Sequence, residues 1–123
     1  MKLIFSLLAF LVIYSGDISQ QEAEKEVIDN LKIEVKKLAD TSVCSDEYKC
    51  FYVGIGSKPC GGFWEYIVYS NSIDIVSFLA DIEKLNALEK TYNKKYMIQS
   101  DCFMAMPPSS LECIEGKCIG TFQ

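Results

Sequence analysis

The residues of this chain whose types and spacing invite chemistry are six cysteines and a carboxylate set in an aromatic run. Cys44, Cys50, Cys60, Cys102, Cys113 and Cys118 are open to three uses: thiolate nucleophiles, metal ligands or disulfides. The 5, 9, 41, 10 and 4 residues between successive cysteines match no zinc ribbon or knuckle. There is no Cys-x-x-Cys pair and no histidine to complete a mixed site. An even number of cysteines behind an apolar leader reads as three disulfides. No metal and no other cofactor is implied. The lack of histidine also excludes Ser-His-Asp and Cys-His catalysis, and no residue is assigned as catalytic.

Carboxylates are the general acid–base groups that remain. Glu65 is flanked by Phe63, Trp64, Tyr66 and Ile67. A carboxyl held against rings acquires a raised pKa and can serve as the acid of a small glycosidase-like hydrolase, given a second carboxylate such as Asp101. An exposed glutamate alternating with buried aromatics explains the same pattern more simply. Ser57-Lys58, a serine beside a lysine, reads as a solvated turn. Lys58 also suits the tip of an inhibitory loop, although Pro59 behind it lacks the N–H a substrate-like pose uses. Most of the rings Tyr48, Phe51, Tyr52, Phe63, Trp64, Tyr66 and Tyr69 are needed as core. Trp64 and Tyr66, beside the Gly61-Gly62 turn, are the expected exceptions; with Lys58 they form the candidate binding set.

These residues must be positioned by few elements. Met1-Lys2, the apolar run Leu3 to Tyr14 and the small residues Ser15-Gly16 form an expected export signal over 1–16, too short for a bilayer span. An uncleaved anchor is the competing reading. Residues 17–43 follow as a helix and linker, with Val27, Ile28, Leu31, Val35 and Leu38 as an apolar stripe over 21–40 that is expected to dock. Residues 44–123 form the disulfide-stabilised region. Within it, 48–55 alternates as a strand, and 54–62 is a Gly/Pro loop pinned by Cys60. The run 63–70 leans to a strand, and 74–92 is a helix with Ser72 as its N-cap. Extended pieces are expected over 96–98, 102–106, 111–114 and 117–121. Glu115-Gly116 fits a two-residue turn that sets Cys113 opposite Cys118, close enough to bond. Six cysteines still allow about 15 pairings.

The pattern Cys50, Val53-Gly54-Ile55-Gly56, Lys58-Pro59-Cys60-Gly61-Gly62, Tyr69-Ser70, Ser100-Asp101-Cys102 and Cys113 with Gly116-Lys117-Cys118 resembles small exported cysteine-rich bacterial proteins of unassigned function. In those a proline commonly follows the two glycines, where this chain has Phe63. The resemblance implies export and a shared fold, and carries over no site residue.

Charge narrows the partners. The chain has a net charge of −5, and every one of its 12 cations is lysine. Without a basic face or an arginine fork, nucleic acid is excluded as a partner. The expectation is an α+β domain, two helices packed on a small antiparallel sheet and secreted or periplasmic. It has no transmembrane span in the mature chain and binds or inhibits an unknown protein or glycan ligand without catalysing a reaction.

Overall fold

The computed structural model describes the backbone of residues 2–123 and the side chains from Ser19 onward. The expected export signal over 1–16 falls outside the described side chains. Helix α1 (Lys2–Thr41) is followed by strands β1 (Cys50–Ile55) and β2 (Glu65–Ser70), helix α2 (Ile75–Lys95), and strands β3 (Ser110–Ile114) and β4 (Lys117–Thr121). The fold is α+β: two helices, two antiparallel two-stranded sheets and three disulfides. Among the described residues no helix is long and apolar enough to cross a membrane.

The two helices lie together because each presents one stripe. Ile28, Val35 and Ala39 of α1 are buried against Phe78, Ile82, Leu85 and Tyr92 of α2, with Leu31 packed beside them. Val27 and Leu38, expected in the α1 stripe, are exposed instead. The contact is a strip one residue wide at spacings of three and four, and these two fall beside it. At the far end α1 stops where the Thr41 and Ser42 hydroxyls turn back to donate to the Leu38 and Ala39 carbonyls, each at 2.7 Å.

Beneath the helices, β1 pairs with β2 from Cys50↔Ser70 to Ile55↔Glu65. Directly opposed residues share a face. Val53, Ile55, Ile67 and Tyr69 therefore turn toward the helices and join the core, while Tyr52, Gly54, Tyr66 and Val68 face the other way.

The α2 cap differs from the expected one. Asp74 accepts from the Ser77 N–H at 3.2 Å and caps the helix. Ser72 is occupied elsewhere, accepting the Val43 N–H at 2.9 Å and sharing a 2.8 Å hydrogen bond with the Ser70 hydroxyl. This serine cluster joins the end of α1 to the end of β2.

The β3–β4 hairpin turns on Glu115-Gly116, both with positive φ (51° and 79°). Two left-handed residues make the turn whose twist matches a hairpin, and glycine takes the second position without strain. Cys113 lies opposite Cys118 as the register requires, yet the two are not bonded to each other. Cys113 bonds Cys44, Cys118 bonds Cys50, and Cys60 bonds Cys102. The partners of the two hairpin cysteines lie in β1, for Cys50, and in the loop that precedes it, for Cys44. Consequently the hairpin is fastened over the first sheet by two adjacent bridges. The expected extended pieces at 96–98 and 102–106 are not strands.

Candidate functional site

A loop at the end of β1 carries the site. Gly56 N–H donates to Asn86 Oδ1 at 2.7 Å, Ser57 N–H to Glu89 Oε1 at 2.6 Å, and Asn93 Nδ2 to the Ser57 carbonyl at 2.7 Å. Asn86, Glu89 and Asn93 stand at spacings of three and four on α2, so one polar strip of the helix holds three successive backbone groups. The other oxygen of Glu89 takes the Lys32 ammonium of α1 at 2.5 Å. One buried glutamate thus ties both helices to the loop.

Past this clamp the loop buries Lys58. Its side chain is 7% exposed, and its ammonium donates to Asp101 Oδ1 at 2.8 Å and to the Phe103 carbonyl at 2.5 Å. It also lies 4.8 Å from the centre of the Trp64 ring, a favourable cation–π distance. The Lys58 ammonium, and secondly the Phe103 N–H donating to the carboxylate, hold the Asp101 carboxyl below its usual pKa. With the Cys60–Cys102 bridge, these contacts pin segment 101–103 at three points.

What that segment presents is apolar. Phe103 is 81% exposed, Met104 62% and Met106 66%. Met104 lies against Gly62, where an added Cβ would meet its methyl at 3.5 Å, one residue along the chain from Phe63. From Phe63 a chain of rings crosses the outer face of the sheet. Phe63 meets Tyr66 edge-on at 5.6 Å and 74°, and Tyr66 meets Tyr52 at 5.9 Å and 70°. Phe63 reaches this position by lying on the bare backbone of Gly54, where any Cβ would sit 2.2 Å from its ring.

The candidate binding set is therefore divided. Tyr66, half-buried, belongs to the ring chain on the outer face. Trp64, although 41% exposed, lies over Gly56 and Lys58 and helps to enclose the lysine. Lys58 is not the tip of an inhibitory loop, because its charge is turned inward onto Asp101 and the Phe103 carbonyl. Glu65, which would need an apolar pocket to serve as an acid, is instead partly exposed and ion-paired with Lys36. Asp101, its suggested partner, is held by Lys58. Both carboxylates are ion-paired, and neither lies in an apolar pocket.

Among the described residues, the sulfurs of Cys44, Cys50 and Cys118 lie within 4.8 Å of one another, close enough to share a metal ion. Each is bonded to another sulfur, so none offers a thiolate in this form. Among the described residues there is no free cysteine.

Tyr52, Phe63, Phe103, Met104 and Met106 were not singled out from sequence as surface residues. The signal was present for the last three: a Phe-Met-Ala-Met run beside Pro107-Pro108 cannot alternate into a core. No protein-family model, curated protein or solved structure matches the chain.

Proposed function

We propose that this chain is an exported binding domain without catalytic activity. Its apolar face of Tyr52, Tyr66, Phe63, Met104 and Phe103 recognises a protein partner. The observation that carries the reading is the pinning of segment 101–103 by a disulfide and a buried lysine while Phe103 and Met104 remain in water. A rigid apolar surface loses little conformational entropy on binding, and aromatic residues with methionine are enriched at protein interfaces.

A protein partner is favoured over a glycan by the ring geometry. Sugars stack on flat ring faces, whereas these rings meet edge-on at 70° and 74° and leave a corrugated surface suited to interlocking side chains. Paired cysteines and the lack of histidine support the absence of catalysis. The likeness to small exported bacterial proteins is part of the same proposal.

The test is capture from extracellular or periplasmic extract of the source organism on immobilised oxidised protein. Wild type is compared with Tyr52→Ala/Phe103→Ala, both positions being exposed enough to leave the fold intact. The expected result is a protein retained by wild type and reduced about tenfold or more by the double variant. Equal recovery of every protein by both, or retention only on insoluble polysaccharide, overturns the reading.

A further inference from the structure

We propose a second binding site, independent of the ring face, in which the free edge of β3 accepts an extended basic peptide as an added strand. In the hairpin ladder Ile114 and Lys117 flank the two-residue turn and exchange hydrogen bonds. Cys113 with Cys118, and Leu111 with Gly120, therefore occupy non-hydrogen-bonded positions. The N–H and C=O groups of Leu111 and Cys113 point away from β4, and among the described residues no hydrogen bond engages them. Four backbone groups in register are what strand addition uses.

The edge opens on a groove of about 680 Å³. Leu111, Glu112 and Cys113 line one side and the segment from Cys44 to Cys50 the other. The groove is shut at the turn, where the Cys44 N–H donates to the Gly116 carbonyl at 2.9 Å. Its two flanks are locked together by the Cys44–Cys113 and Cys50–Cys118 bridges, so the spacing between them is preset.

Charge selects the occupant. Asp46, Glu112 and Glu115 line the groove against Lys49 alone, and among the described residues none of the three acids has an ion-pair partner. A peptide with lysine or arginine at alternate positions sets one cation opposite Glu112 of β3, the favourable cross-strand arrangement, and brings others into the groove that Glu115 and Asp46 line. A second copy of this chain, at net charge −5, is repelled.

The test is an NMR titration of the oxidised protein with a blocked Lys-Val-Lys-Val-Lys-Val peptide and its Glu-Val counterpart. The Leu111 and Cys113 amides are expected to shift most and to exchange more slowly with solvent. Glu112→Gln/Glu115→Gln is expected to weaken binding about tenfold. The proposal is overturned by affinity weaker than about 1 mM, by equal binding of the acidic peptide, or by shifts centred elsewhere. Shifts of the same two amides that follow protein concentration without peptide would assign the edge to self-association and overturn it equally. None of these readouts involves Tyr52 or Phe103, so failure here leaves the ring-face reading standing, and the converse holds.

Discussion

Replacing Glu89 by glutamine and by alanine perturbs one junction in two different ways. Its Oε1 accepts the Ser57 N–H and its Oε2 holds Lys32, and the residue is 7% exposed. Glutamine keeps the volume and an acceptor for Ser57, but sets an amide NH2, a donor like the ammonium, where the charged acceptor of Lys32 stood. The Lys32 side chain is 27% exposed, so its ammonium can recover water, and the expected cost is about 1 kcal/mol. Alanine also leaves the Ser57 N–H without an acceptor and opens a void under Gly56. Those losses bring the expected cost to about 3 kcal/mol. The assay is urea unfolding of oxidised protein followed by Trp64 fluorescence, with Lys32→Met completing a double-mutant cycle against Glu89→Gln. A coupling of about 1 kcal/mol is expected. Equal costs for glutamine and alanine would show that the charge, and not the backbone acceptor, holds the loop. Costs under about 0.5 kcal/mol for both would refute the junction altogether.

Two further outcomes follow from the cross-links and the buried lysine. The Cys44–Cys113 and Cys50–Cys118 bridges span 69 and 68 residues and close nearly the same loop. By loop-closure entropy the first contributes about 4 kcal/mol and the second, closing only the short segments between them, about 3 kcal/mol. Removing either pair by Cys→Ala should therefore cost about 3 kcal/mol and removing both about 7 kcal/mol; in calorimetry, a double loss no larger than twice the single one would contradict the shared loop. Because its native pKa is lowered, Asp101 gives stabilisation that is complete above the unfolded value, about 4, and lost as pH falls through the native one. The Phe103 and Met104 resonances of wild type should accordingly loosen on acidification, and Asp101→Asn should abolish that pH dependence; an identical acid transition in the variant would sink the assignment.

How far the sequence could be read depended on whether a contact was local. The α2 stripe, the alternation in β1 and the left-handed pair at Glu115-Gly116 are set by neighbours within four residues, and each is visible as a pattern. The disulfide partners are set by layers: Cys113 looks nearest to Cys118 along the chain, and only the stacking of hairpin on sheet brings Cys44 and Cys50 closer. Glu89 was illegible for a related reason. Its place on the buried face of α2 depends on Ser57, 32 residues away, and on Lys32, 57 residues away. Trp64 and Tyr66 were expected together, and strand alternation alone would put residues two apart on one face; Trp64, however, precedes β2 and packs over Gly56 and Lys58, a contact with another segment that alternation does not encode.

The burial of Lys58 bears on what the fold is for. Taking an ammonium out of water is costly, and well-packed apolar residues often serve stability as well or better. This chain instead satisfies the charge with Asp101, the Phe103 carbonyl and the face of Trp64. What these contacts achieve is positional. They fix the backbone beside a disulfide so that Phe103 and Met104 stay in water, where an untethered apolar segment would fold back onto the rings of the sheet. Stability alone does not call for that outcome, since it leaves apolar area exposed that collapse would bury at about 25 cal/mol per Å². A buried cation and an aromatic side chain held in water are what the proposed binding role requires.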